Sequence, residues 1–225
     1  MNKFVFDKKF FEDSFSIPRM NPYWIRYCGN EKKAILHYKQ NIQLAEALLP
    51  AISIFEVALR NAVIKELERM TMRKDWCTYF ASIPALKELY LYVETAKQHL
   101  SKKGKIISQD LINGELTLGF WVLLFNAKYS RYLWKDLRRA FPYLSKEKRK
   151  RRNISTPLND IRTLRNRVFH NESISWNLCR LEALHQSIID ICSWINPALP
   201  AWISTVERFD KVMASAKLWY REVRI

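Results

Sequence analysis

The sequence predicts an all-α fold, and three observations carry that prediction. Only 4 glycines and 8 prolines occur in 225 residues, too few turn signals for a chain of many short strands. Hydrophobic residues make up 48% and aromatic residues 13%, enough for a substantial core in one domain spanning residues 1–225. The apolar positions also recur at helical spacing in segment after segment.

Residues 1–30 mix aromatics with charge around Pro18 and Pro22, and read as an irregular arm packing Phe10, Phe11, Phe15, Tyr23 and Trp24 onto the core. Asn30 then caps a helix through Leu49, with Ile35, Tyr38, Ile42, Ala45 and Leu49 on one side. Pro50 is expected to kink or interrupt it, because proline lacks the N–H the ladder needs. A second apolar helix follows from Ala51 to about Met70. It holds Glu56 and Arg60, four apart in the favourable acid-first order, together with Asn61. So apolar a neighbourhood suggests that this pair is partly buried. Another helix runs from Pro84 to about Lys103 and ends in the basic turn Lys102-Lys103-Gly104-Lys105. The dense apolar stretch Ser108–Asn126 reads as core.

From Lys128 to Phe141, Arg131, Lys135, Arg138 and Arg139 recur at near-helical spacing and would line one broad face. The densest charge run follows: Lys146, Glu147, Lys148, Arg149, Lys150, Arg151 and Arg152. It is either a solvated loop or, with Tyr129, Tyr132 and Trp134 just upstream, a surface for a single nucleic-acid strand whose phosphates are neutralised and whose bases stack. Thr156-Pro157 supplies a helix start, a hydroxyl N-cap followed by proline, and Leu158, Ile161, Leu164 and Val168 form its buried stripe. Ser175 is expected to cap the next helix, whose stripe of Leu178, Leu181, Leu184, Ile188, Ile191 and Ile195 suits either core or a dimer seam, with His185 a structural neighbour. Trp202–Ile225 reads as one amphipathic C-terminal helix.

A net charge of +16, from 38 Lys and Arg against 22 Asp and Glu, points to a polyanionic partner: RNA, DNA or an anionic membrane surface. The most apolar run, Leu116–Phe125, falls short of the ~20 residues of a membrane span, so no membrane partner is expected. Nor does the N-terminus carry a signal-peptide pattern. Cys28, Cys77, Cys179 and Cys192 lack metal-ligand spacing and read as reduced, mostly buried thiols of a cytoplasmic protein. No P-loop, GxGxxG, HExxH or nucleophile elbow is present, which argues against nucleotide-fuelled, zinc-peptidase and hydrolase chemistry.

Chemically capable side chains crowd together in Arg165-Asn166-Arg167-Val168-Phe169-His170-Asn171-Glu172. On a helix, Asn166 and His170 share a face, as do Arg167 and His170, while Arg165 lies about 140° away from His170. The polar cluster would sit at the C-terminal end, where backbone carbonyls favour a cationic imidazole. By residue type alone, a solvated helix face is the commoner use of such a cluster.

The spacing Arg165-Asn166-x-x-x-His170 resembles the Arg-Asn-x-x-x-His signature of the HEPN superfamily, all-helical domains that include metal-independent ribonucleases. More of the chain is similar to the Abi-like abortive-infection family within that superfamily. Ser16-Ile17-Pro18-Arg19, Tyr38–Asn41, Glu56–Asn61, Gly119-Phe120-Trp121 and Arg165–His170 occur in order across most of residues 14–195. One departure stands out: family members commonly carry two consecutive histidines before the glutamate, whereas this chain has His170-Asn171-Glu172.

The resemblance implies an endoribonuclease without metal or other cofactor. His170 would be general base or acid, Arg165 would stabilise the phosphorane, and Asn166 would orient the imidazole or bind a phosphate oxygen. Glu56, Arg60, Asn61, Arg167 and Glu172 would support the site, Glu172 by orienting a basic partner. Such sites are usually composite across a homodimer, so an interface including residues 156–172 is expected. The biological setting implied is phage defence or a toxin–antitoxin pair, with RNA as substrate and a small non-coding RNA as a conceivable inhibitor. The alternatives are a non-catalytic RNA-binding protein and, more weakly, a DNA binder using the run from Lys146 to Arg152. The latter lacks a helix-turn-helix signature, and the motif's chemistry needs a 2′-hydroxyl.

Overall fold

A computed structural model of the chain describes residues 6–223, and among them the regular structure is entirely helical. Contacts divide it into two compact units. One comprises Met1–Pro50, Leu164–Ala183 and Val206–Ile225; the other comprises Ala51–Thr163 and Leu184–Thr205.

In the first unit, the N-terminal residues are helical rather than irregular. Helix α1 spans Lys8–Phe15 and is capped by Asp7, whose carboxylate accepts from the Phe10 N–H at 2.9 Å. Ser16, at φ 75°, turns the chain into α2, Ile17–Arg26, where Pro18 falls in the first turn and needs no donor. The expectation of an irregular arm fails because that tolerated proline and the Asp7 cap both favour helix. Met20, Tyr23 and Trp24 of α2 form a core cluster with Ala34 and Tyr38, against which Phe11, Tyr27, Ile35 and Trp176 pack.

Helix α3 is a single element, Glu31–Thr71, and Pro50 lies inside it, so the expected interruption is absent. Asn30 caps it, its side-chain oxygen accepting from the Lys33 N–H at 3.1 Å. The boundary between the units falls directly after this proline. By length and composition α3 is long and apolar enough to cross a membrane, with an 18-residue window of mean hydropathy 1.7, a segment that the expectation drawn from the shorter run Leu116–Phe125 left out. Part of that apolar surface is core: Leu44, Ala47 and Leu48 in the first unit, Ala51, Ile52, Phe55, Leu59 and Val63 in the second. The anticipated stripe is rotated, for Ile42 and Leu49 are 48% and 37% exposed while the polar His37 and Asn41 face inward.

The second unit contains α4 (Cys77–Ser82), α5 (Lys87–Lys102), α6 (Gln109–Glu115), α7 (Leu118–Leu123) and α8 (Ser130–Leu137). Trp76, Phe80, Phe120 and Trp121 form its aromatic centre, with Trp121 Nε1 donating to the Leu116 carbonyl at 3.2 Å. The stretch Ser108–Asn126 is core, as its composition suggested.

Helix α9 spans Arg151–Phe169 and begins before Thr156-Pro157, so that pair is not its start. Pro157 instead occupies an interior position, one of the few ring-for-donor exchanges a helix tolerates at some cost. Leu158, Ile161, Leu164 and Val168 are all buried, as their spacing predicts. Helix α10, Leu178–Ile195, is capped by Asn177 and not Ser175: the Arg180 N–H donates to its side-chain oxygen at 2.9 Å. Leu181, Ile188 and Ile191 of its stripe are core, and so is His185. The expected single C-terminal helix is two, α11 (Leu199–Val206) and α12 (Phe209–Val223). All four cysteines are free thiols, but only Cys77 and Cys192 are buried, whereas Cys28 and Cys179 are exposed.

Candidate functional site

The last turn of α9 presents Asn166, Arg167 and His170 to solvent. Its end is a Schellman cap: the Glu172 N–H reaches back to the Arg167 carbonyl at 2.8 Å and the Asn171 N–H to the Val168 carbonyl at 3.2 Å. Asn171 occupies the left-handed position of that cap, at φ 53°. Asparagine and histidine are both enriched there relative to other side chains. The departure from a double histidine thus puts at this position a residue equally suited to the turn. His170 is joined to Asn166 through its backbone N–H, which meets the Asn166 carbonyl at 2.9 Å. Arg165 and Phe169, four apart, stack with the guanidinium carbon 4.1 Å from the ring centroid. Arg167 and Glu172 approach to 3.8 Å, an exposed pair of small energetic weight.

Two residues far away in sequence hold the turn after His170. The Arg19 guanidinium donates to the carbonyls of His170, at 3.5 Å, and of Asn171. From α3, the buried Asn41 amide donates to the Glu172 carbonyl at 3.3 Å while its oxygen accepts from the N–H groups of Ile174 and Ser175 at 2.8 and 3.2 Å. Neither role was deduced from residue type. Both residues, however, belong to the segments Ser16–Arg19 and Tyr38–Asn41 that carry the resemblance. Beside the turn, Tyr38, Ile42, Leu49, Val168 and Phe169 line a cavity of about 300 Å³.

One turn before Asn41, His37 is fully buried in a nest of hydroxyls. Tyr27 lies 3.0 Å from Nδ1, and Ser175 Oγ lies 2.9 Å from Nε2, which also contacts the Tyr220 hydroxyl. Tyr220 itself donates to the Ser175 carbonyl at 3.1 Å, which leaves its oxygen to accept from Nε2–H and assigns Nδ1 as the acceptor from Tyr27. Burial, assisted by the Arg26 charge, pushes the His37 imidazole down to about 3, and burial pushes the Tyr23 phenol up to about 12. Sequence pattern gave no signal for this nest, because its members are scattered from α2 to α12.

The other anticipated site residues lie in the second unit. Glu56 and Arg60 are partly buried on α3, and Asn61 is exposed. Arg131, Lys135, Arg138, Arg139, Lys146, Lys148, Lys150 and Arg152 are exposed cations. Arg149 is different: it folds back to donate to the carbonyls of Pro142 at 2.9 Å and Leu144 at 2.5 Å. Arg151 likewise donates to Ser155 Oγ at 3.1 Å and the Phe125 carbonyl at 3.4 Å. Tyr129 is buried with its hydroxyl on Glu88, which removes it as a stacking platform, while Tyr132 and Trp134 stay partly accessible. Among the described residues, no group of three or more His, Cys, Asp and Glu side chains is placed to hold a metal ion.

No known family model, no curated protein and no solved structure matches the chain. The similarity to Abi-like proteins therefore rests on the motif residues themselves.

Proposed function

We propose that the chain is a metal-independent HEPN-type endoribonuclease acting in an abortive-infection or toxin–antitoxin system. The observation that supports this best is a convergence. Arg19, Asn41 and His170 come from three separated segments of the resemblance, and they meet at one hydrogen-bonded turn, residues 170–172, that presents His170 to solvent. A surface face kept only for solubility has no need of a buried asparagine making four bonds to the loop behind it.

In this reading, the substrate's 2′-oxygen attacks the adjacent phosphorus as an imidazole takes its proton. The bond to the 5′-oxygen breaks, and that oxygen collects a proton as it leaves. The products are a 2′,3′-cyclic phosphate and a 5′-hydroxyl. Arg165 offers a two-pronged contact to the phosphorane oxygens once it leaves Phe169, and Asn166 binds a phosphate oxygen or holds the ring. One imidazole cannot readily serve as base and acid in a single step, so a second copy of the chain supplies the other. Phe169, Ile42 and Leu49, between 37% and 49% exposed beside the turn, give such a homodimer an apolar seat. The exposed cations of the second unit fit an RNA partner, with the cytoplasm as the setting.

Incubating the protein with a mixed RNA pool in EDTA and analysing product ends tests the reaction. Cyclic phosphate ends from RNA, with an all-deoxy strand left intact, are the expected result. A single imidazole at each α9 end also favours a second reading, a non-catalytic RNA-binding protein. That reading predicts salt-sensitive binding with no cleavage at any protein concentration.

A further inference from the structure

We propose that the cavity between α2, α12 and the start of α10 is a nucleotide-binding site, with the phosphate on Arg26, Lys217 and Arg221 and the base against Trp176. This goes beyond the nuclease reading and stands without it. The cavity, of about 500 Å³, is also lined by Ser175, Asn177, Leu178, Cys179 and Tyr220. That volume falls within the roughly 300–1,000 Å³ usual for small-ligand sites.

Its charge sets it apart from other cavities of the same unit. Those include Glu46, Glu172, or Glu12 with Asp13 among their walls, whereas this one has three cations and no carboxylate in its lining. Lys217 is partly engaged by Glu182, which stands outside the lining. Arg26 and Arg221 make no ion pair among the described residues.

The rest of the wall suits a planar ring. Trp176 is partly exposed; Tyr23 and His37 pack against its ring at 4.8 and 4.6 Å, and Arg26 lies over it at 5.3 Å, so a base stacking there takes the place of the guanidinium and leaves that fork to the phosphate. The floor is rigid, because Tyr220 and Ser175 are fixed by His37. Guanidinium forks grouped beside an accessible indole are the combination that a nucleoside phosphate uses, its anion on one and its base on the other. A free mononucleotide and one nucleotide of an RNA strand share this chemistry.

Cys179 lines the cavity and is exposed, while the exposed Cys28 does not line it, so the pair forms a reporter with an internal control. The full chain is alkylated with N-ethylmaleimide alone, with AMP, with a ten-nucleotide oligouridylate, or with inorganic phosphate, and each cysteine is followed by peptide mass. Equilibrium dialysis with labelled AMP and labelled oligonucleotide reads binding directly. The expected result is at least a fivefold slowing at Cys179 and none at Cys28, with binding lost in the Arg26→Gln, Arg221→Gln double variant of unchanged helical content. Protection by AMP assigns a free nucleotide, and protection by the oligonucleotide alone assigns a strand. Absence of binding by both probes would overturn the site. So would equal protection by inorganic phosphate, or full binding by the double variant.

Discussion

His37 and His170 carry the same ring in the same compact unit and stand in opposite surroundings. His37 is fully buried, bonded at both nitrogens and held neutral; His170 stands exposed at the end of α9 with its backbone, not its ring, tied down. Burial pushes the pKa of the buried ring down to about 3, yet nothing can reach it. The comparison teaches that a shifted titration marks a confined group, and that a proton-transfer group needs access as well as a rigid mount. Asn41 links the two, since it lies one turn from His37 on α3 and holds the loop that follows His170.

The largest stability effect is expected at that link. Asn41→Ala strands two buried N–H groups and one carbonyl, a cost of about 3 kcal/mol. Urea unfolding reads it directly, and a loss below about 1 kcal/mol would mean that the clamp on the turn is dispensable. Cleavage should fall in the same variant, because the turn bearing His170 loses its anchor.

The buried ring gives the next effect. Burial holds the folded-state pKa of His37 at about 3, below the ~6.5 of an unfolded chain, so the unfolded state takes up the proton first on acidification. Its contribution is complete above about pH 6.5 and declines as the pH falls toward 3. Between pH 7 and 4.5 that amounts to roughly 2–3 kcal/mol. His37→Phe removes the term, so its destabilisation relative to wild type should be smaller at pH 4.5 than at pH 7. A constant difference would contradict the neutral, desolvated ring.

The basic run sharpens the contrast at lower energy. Arg149→Ala releases the carbonyls of Pro142 and Leu144 and should cost about 1–2 kcal/mol of stability. Lys148→Ala, at an exposed position, should leave the melting temperature unchanged and instead lower the slope of log affinity for RNA against log salt by about one. Equal stability of both variants would return Arg149 to the solvated cations.

Much of the helical layout was legible because apolar spacing reports burial: Leu158, Ile161, Leu164 and Val168 are core as read. The boundaries depart from the spacing where proline stands, because proline does not always punctuate a helix. Pro50 and Pro157 both lie inside helices, since neighbouring turns can keep a helix going past one missing donor. The end of α9 was legible as a cluster of residue types with helical phase. Its clamp was not, because hydrogen bonds from Arg19 and Asn41 span more than 130 residues and leave no local period. His37 was invisible for the same reason: its neutrality comes from burial, with the Arg26 charge assisting, in a nest of Tyr27, Ser175 and Tyr220 that only the folded chain assembles.

The most direct test of His170 as the reacting group compares wild type with His170→Ala on one RNA, in EDTA, measuring cleavage rate and RNA affinity on the same samples. The expected result is a loss of cleavage of about 10²–10⁴-fold with affinity within about twofold of wild type. Cleavage retained by His170→Ala, at a rate near that of wild type, would contradict it.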